Sequence, residues 1–315
     1  MNVLLTGVHG FVGSNLVVSL GREHRLFGLD IVSPEKEGIV KTYSWNDLET
    51  GQLPSVDAII HLAGKAHDTK KRTRAQEYFD INTGLTQKVF DYFLASEARK
   101  FIFFSSVKAA ADFVVGEVLT EDIIPVPKGP YGESKIAAEK YIQEKLAVFS
   151  PAHCGKKVYI LRPCMIHGPG NKGNLNLLYQ VVKKGLPWPL GDFDNRRSFT
   201  SIDNLSYVIE ELLARNVVSG IYHMADDEAV STNELIELMC EELTKLPHIW
   251  KINKNLMKGC ARVGGFLHLP LNMERLAKLT ENYVVSNTKL KQALNIRYMP
   301  VSAKEGLRKT IRSFR

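Results

Sequence analysis

The chain has 315 residues, 44% apolar and 24% charged, a composition that predicts a globular protein with one large core and room for a smaller one. Lys and Arg total 41 against 34 Asp and Glu, and the net charge of +7 suits an anionic partner such as a phosphorylated small molecule. No run of about 18 apolar residues could span a membrane, and no Lys/Arg run interleaved with aromatics points to nucleic acid.

Taken in chain order, the first half alternates two patterns. Residues 2–6 are a short apolar run ending in Thr-Gly, and residues 11–21 have helical spacing. The N-terminal "NVLLTG" reads as a buried strand rather than a signal peptide, so a cytoplasmic location is expected. "HRLFGLD" gives a second strand ending at Asp30, and "IVKTYS" a third. "VDAIIHLAG", 56–64, is a strand, and 74–97 fits one long amphipathic helix. "KFIFFSS", 100–106, is a strand, 130–149 a helix, and "KVYILRP", 157–163, a strand again. Buried strands alternating with helices predict an α/β, Rossmann-type, doubly wound parallel sheet. Ligands of such a sheet sit at the strands' carboxyl ends, which puts Gly7, Asp30, Ala63, Ser106 and Pro163 on one rim.

"TGVHGFVG" places Gly7, Gly10 and Gly13 between the first strand and the first helix. Glycines there permit a tight turn and let backbone N–H groups approach a pyrophosphate at a helix N-terminus. Asp30, ending strand two, can accept hydrogen bonds from an adenosine ribose and repels a 2′-phosphate. No Arg follows it before Lys36, so NAD is favoured over NADP. Tyr131 and Lys135 stand four apart on one helix face, a spacing that by itself is cheap. Cys154, Cys164, Cys240 and Cys260 form no C-x-x-C pair and read as reduced thiols. His9, His61 and His167 read as structural, and His153, His223, His248 and His268 have no metal-ligand spacing, so no metal is expected. Two basic clusters stand out, "KRTR" with its preceding Lys70, and Lys304 to Arg315.

Together, "TGVHGFVG", "HLAG" at 61–64, "DIN" ending at Asn82, "FFSSVK" at 103–108, "YGESK" at 131–135, "LRPCMIHGPG" at 161–170 and "RRSFTSIDNL" at 196–205 resemble the extended short-chain dehydrogenase/reductase family, in its nucleotide-sugar epimerase/dehydratase branch. The resemblance implies an NAD-binding Rossmann domain over 1–162, joined by a returning strand near 220–227, and a mainly substrate-binding lobe over 163–315. It makes Ser106, Tyr131 and Lys135 catalytic. Tyr131 is the acid/base, which Lys135 is expected to tune towards phenolate. It implies NAD contacts at Gly7, Gly10, Phe11, Val12, Gly13, Asp30, Leu62, Ala63, Gly64, Asn82, Ser105, Tyr131, Lys135 and Pro163. It also implies a UDP-sugar or related nucleotide-sugar substrate and a homodimer through a helix bundle.

The chain departs from the family's substrate pattern. Where many members read Arg-Pro-x-Asn-x-Tyr-Gly-Pro, it has Met165 for the Asn and His167 for the Tyr. "GNKGNLNLL", 170–178, resembles the substrate loop of sugar 4-ketoreductases and some N-acetylhexosamine 4-epimerases. Ser106, Asn174, Leu175, Arg197 and Arg275 are the substrate candidates, Arg197 aligning with a pyrophosphate-binding Arg. Val107 and Lys108 replace the Asp-Glu that follows the catalytic hydroxyl in dehydratases, which disfavours dehydration. The expected reaction is epimerisation at C4 of a UDP-hexose or UDP-N-acetylhexosamine. The alternatives are NAD(P)H-dependent reduction of a UDP-4-keto-6-deoxy-hexosamine, and a non-catalytic NAD-binding regulator or RNA-binding protein.

Overall fold

Runs of Val, Ile, Leu and Phe that are buried on both faces form the inner strands, and the segments between them supply helices. The computed structural model describes residues 1–32, 34–65, 74–148, 155–266 and 272–315. Lys70 to Thr73, His153, Cys154 and His268, and the last residue of the helix expected over 130–149, lie outside them. The first half runs β1 (Asn2–Thr6), α1 (Phe11–Leu20), β2 (Arg25–Leu29), β3 (Ile39–Tyr43), α2 (Trp45–Glu49), β4 (Ala58–His61), α3 (Ala75–Tyr78), a π-helical turn (Phe79–Gly84) and α4 (Leu85–Ala95). It continues through β5 (Lys100–Phe104), α5 (Val107–Ala110), α6 (Pro130–Val148) and β6 (Lys157–Pro163). The second half adds β7 (Met165–His167), α7 (Asn174–Lys183), β8 (Phe199–Ser201), α8 (Ile202–Ala214), β9 (Gly220–Met224), α9 (Thr232–Glu242), α10 (Lys254–Phe266), α11 (Met273–Thr280), α12 (Thr288–Leu294) and α13 (Ala303–Arg312).

Seven strands form one sheet in the order β3-β2-β1-β4-β5-β6-β9, with every pair parallel. This is the Rossmann-type doubly wound sheet. Val3, Leu5, Ile60 and Ile102 share one hydrophobic cluster with side chains of α1, α8 and α12. Leu4, Ile59, Phe101 and Phe103 share the other with side chains of α2, α4 and α6. The strand order reverses between β1 and β4, the crevice in which such sheets bind ligands. β9 pairs with β6 from Tyr159↔Gly220 to Pro163↔Met224, so the second half closes the sheet that the first half builds.

The lobe is built on a second, two-stranded sheet of β7 and β8. Side chains of α7, α9 and α13 pack in one cluster, and Met257, Ala261 and Leu276 of α10 and α11 pack on Leu190 in another. A fifth cluster, with Val107, Leu119, Cys164, Ala225 and Tyr283, joins lobe and sheet. There the Tyr283 hydroxyl donates to the Ala111 carbonyl at 2.7 Å.

Two expectations are corrected. Residues 74–97 are not one regular α-helix, because the π turn interrupts them. β4 covers only Ala58–His61 of the strand expected over 56–64. Its ladder ends where the Leu62 and Ala63 N–H groups turn to the Thr6 hydroxyl, at 3.1 and 3.0 Å.

Candidate active site

Gly7 has φ +69, in the left-handed region that favours glycine. A Cβ there would lie 2.9 Å from the Cα and N of Ala63. A Cβ on Gly13 would lie 2.4 Å from the Gly7 carbonyl oxygen and 2.9 Å from the Val8 Cα. The loop is therefore packed backbone to backbone across the β1/β4 crevice, and Phe11 and Val12 open the helix behind it. Asp30 follows β2 and accepts from the His9 N–H at 3.0 Å and the Ile31 N–H at 2.7 Å, which sets a carboxylate beside the loop. Lys36 Nζ donates to the Ser14 hydroxyl of α1 at 2.9 Å.

A buried relay fixes the far wall. The Thr6 hydroxyl accepts from Leu62 and Ala63, so its own proton goes to His61 Nδ1 at 2.6 Å. His61 Nε2 then carries the ring hydrogen and donates to the Thr86 hydroxyl at 3.0 Å, and Thr86 donates to the Asn82 carbonyl at 2.6 Å. Burial, with the nearby Lys135, lowers the His61 pKa to about 3, so the ring stays neutral. Asn82, on the π turn, accepts from the Lys65 N–H at 2.7 Å and donates to the Lys65 carbonyl at 3.2 Å and the Ser134 hydroxyl at 3.0 Å. Its side chain thereby ties the segment after Gly64 to α6.

Pro130 at the first helical position opens α6 after Gly129. Tyr131, Lys135 and Glu139 follow at four-residue intervals on one face. Tyr131 shares a hydrogen bond with the side chain of Ser106. Ser106 caps α5, and its Oγ accepts from the Lys108 N–H at 3.2 Å. Lys135 Nζ donates to the Phe104 carbonyl at 2.8 Å and lies so near Gly64 that a Cβ there would come within 3.2 Å. Burial lowers Lys135 to about 8, against the opposing pull of Glu139. Tyr131 departs from expectation. Burial raises its pKa, only partly offset by Ser106, and Lys135 is not among the groups that shift it. Desolvation favours the neutral phenol, and the Lys135 ammonium is directed at the Phe104 carbonyl at the β5 carboxyl end.

Sequence reasoning missed the ionic support beneath this triad. Glu139 and Arg162 form a buried bidentate pair, with Arg162 Nη2 at 2.6 Å and Nε at 2.9 Å. The Ser105 hydroxyl donates to the same carboxylate. The two serines thus divide: Ser106 faces Tyr131, and Ser105 is held by the Glu139 carboxylate. The signal was present, since Glu139 continues the Tyr131–Lys135 spacing and a guanidinium within the buried strand β6 demands a counter-ion.

On the lobe side, Arg197 donates to the Lys278 carbonyl and stands 3.5 Å from Glu281. Lys108 Nζ bonds Asp112 and lies 4.4 Å over the Tyr283 ring. Asn174 opens α7 and is exposed, whereas the Leu175 side chain is buried in the lobe core, which leaves its backbone for any ligand contact. Arg275 is exposed on α11, and Pro163 closes β6. His167 is buried and pairs Thr310 at 2.9 Å, away from the triad.

Comparisons with known proteins give the family of the chain. The model of the NAD dependent epimerase/dehydratase family matches residues 3–225. The chain is 28% identical to UDP-glucose 4-epimerase of Vibrio cholerae, over 99% of this chain and 95% of that one. It is 26% identical to N-acetyl-alpha-D-glucosaminyl-diphospho-ditrans,octacis-undecaprenol 4-epimerase of Escherichia coli O157:H7, over 92% of this chain and 85% of that one. Among solved structures it is similar to the UDP-N-acetylglucosamine 4-epimerase from Bacillus cereus, with a TM-score of 0.76 and 18% identity, covering 100% of this chain and 99% of the other. With the family model matching more than half of its residues, the chain belongs to the NAD dependent epimerase/dehydratase family, whose cofactor is NAD.

Proposed function

We propose that the protein is an NAD-dependent epimerase acting at C4 of a hexose or N-acetylhexosamine carried on a diphosphate, with a UDP-sugar as the expected substrate. The observation that carries this reading is the Ser106–Tyr131 hydrogen bond beside the buried Lys135 at the end of β5. Gly7, Gly10 and Gly13 with Phe11 and Val12 would hold the pyrophosphate, Asp30 the adenosine ribose, and Lys135 with Leu62, Ala63 and Gly64 the nicotinamide half. The backbone contact of Gly7 with Ala63 leaves no side chain in the crevice between them, which fits that group. NAD supplies the hydride acceptor and, once reduced, the donor. Ser106 would orient the sugar O4, and Tyr131, as the phenolate that Lys135 and the positive nicotinamide would favour once NAD is bound, would take the O4 proton and later return it to the 4-keto oxygen. Arg197 would neutralise the substrate diphosphate. The name of the undecaprenol relative puts its hexosamine on a lipid diphosphate, and both carriers share the glycosyl diphosphate.

A 4-ketoreductase reading uses the same three residues, and the exposed Met165 with the "GNKGN" segment favours it. Incubation with UDP-N-acetylglucosamine should give the C4 isomer with no net change in NAD. Stoichiometric loss of reduced cofactor with a UDP-4-keto-6-deoxy sugar, and no isomer, would select the reductase. In either assay Tyr131→Phe should lower turnover by roughly 10²–10⁴-fold while NAD remains bound. Near-normal turnover would remove Tyr131 from the acid/base role.

A further inference from the structure

α10 has three faces where a globular helix usually has two. Met257 and Ala261 pack on Leu190 and Leu276 of the lobe. Lys254, Lys258 and Arg262 form an exposed basic face, and α10 contains no acidic residue. Between these faces runs an apolar ridge that stays exposed among the described residues. Leu256 is 60% exposed, Val263 59% and Phe266 84%. The exposed Cys260 lies in the same ridge. α11 packs against α10 and continues the pattern with the exposed Met273. From 251 to 280 the sequence has six Lys or Arg against one acid, Glu274, so this segment carries five of the chain's seven net positive charges.

We propose that the α10–α11 pair is a docking face for an anionic lipid surface. Aliphatic and aromatic side chains flanked by lysines and arginines are what a helix lying in the headgroup plane requires. The ridge enters the acyl boundary and the cations meet the lipid phosphates. A second copy of the chain is the poorer partner, because two such segments would bring like charges together. RNA is poorer still, because Phe266 is the one aromatic on a ridge otherwise built of Leu256, Cys260 and Val263, which gives no series of stacking platforms. The face abuts the cleft. Arg197 donates to the Lys278 carbonyl at the end of α11, and Asp112, just past α5, acts electrostatically on Lys278. Docking there sets the substrate mouth beside the lipid headgroups. The proposal stands whatever the reaction at C4 proves to be.

The test is co-sedimentation of the full chain with vesicles of phosphatidylcholine alone and of phosphatidylcholine with one-third phosphatidylglycerol. The expected result is at least about tenfold tighter binding to the anionic vesicles, weakened by salt. The variant Leu256→Ser, Val263→Ser, Phe266→Ser should lose about tenfold or more of that binding. So should Lys254→Gln, Lys258→Gln, Arg262→Gln, and both variants should keep wild-type NAD content and thermal unfolding. Failure of the wild type to bind anionic vesicles would overturn the proposal, as would equal binding to both vesicle types or full binding by the folded variants. A wild-type dimer that the Ser variant converts to monomer, with no vesicle binding, would assign the ridge to a second copy instead.

Discussion

His61 shows how much a single buried side chain can hold. It joins the strand below the glycine loop to the π turn, and it does so only as the neutral ring that Thr6 and Thr86 require. Its unfolded pKa is near 6.5 and its folded value is about 3, so unfolding takes up a proton between those limits. Stability from this group is full above pH 6.5 and is lost as pH falls towards 3, by at most about 1.4 kcal/mol per pH unit. Urea unfolding at pH 7 and pH 5 should show His61→Gln less acid-sensitive than wild type, though roughly 1–3 kcal/mol less stable at pH 7 because the threonine hydroxyls lose their partner. An unchanged acid slope would mean that the ring is protonated in the fold. The sequence revealed that this histidine was structural, since it ends a buried strand before small residues. The direction of each proton became legible only from the hydrogen bonds around it. Tyr131 carries the same lesson in reverse. Four-residue spacing established that Lys135 shares its face, but not that the ammonium is aimed at Phe104.

At the level of elements, the inner strands of the large sheet were readable because each is a bounded run buried on both faces, and only the edge strand β3 is largely open to solvent. The π turn was not. Tyr78, Asn82, Thr86, Val89 and Phe93 are all buried, and their spacing fits an uninterrupted helix. What separates the two is the bonding of Asn82 and Thr83 to α6, a tertiary effect without a local signature. The glycine loop was legible for the opposite reason, since Gly10 and Gly13 are dictated by contacts inside the loop itself. Gly13→Ala sets a methyl against backbone atoms of Gly7 and Val8, which cannot swing aside as a side chain could. It should cost about 1–3 kcal/mol in stability and weaken NAD at least about tenfold. Calorimetric titration and thermal unfolding together check this, and wild-type affinity in the variant would mean that the loop can open.

Across the whole molecule, cofactor and substrate functions should separate along the lobe. Arg197 belongs to the lobe, between the Val230 and Tyr283 backbones, and touches none of the residues proposed for NAD. Arg197→Ala should therefore weaken nucleotide-sugar binding roughly tenfold to a hundredfold and leave NAD affinity unchanged. An effect confined to NAD would defeat the assignment. The lobe was the least legible part of the chain. Its cations stand singly among aliphatic residues, so the excess of charge over 251–280 forms no run and shows only when helix faces are drawn. The division near residue 162 also simplifies what the sheet requires, because α8, β9 and α12 share its layers. During synthesis this has a temporal consequence. Ser106, Tyr131 and Lys135 have all left the ribosome while the outer edge of β6 still waits for β9. At 5–20 residues per second, the residues separating Pro163 from Gly220 keep that hydrophobic border bare for roughly three to eleven seconds. A nascent chain in that interval presents an unpaired strand to its neighbours, which makes translation speed through this stretch a determinant of yield.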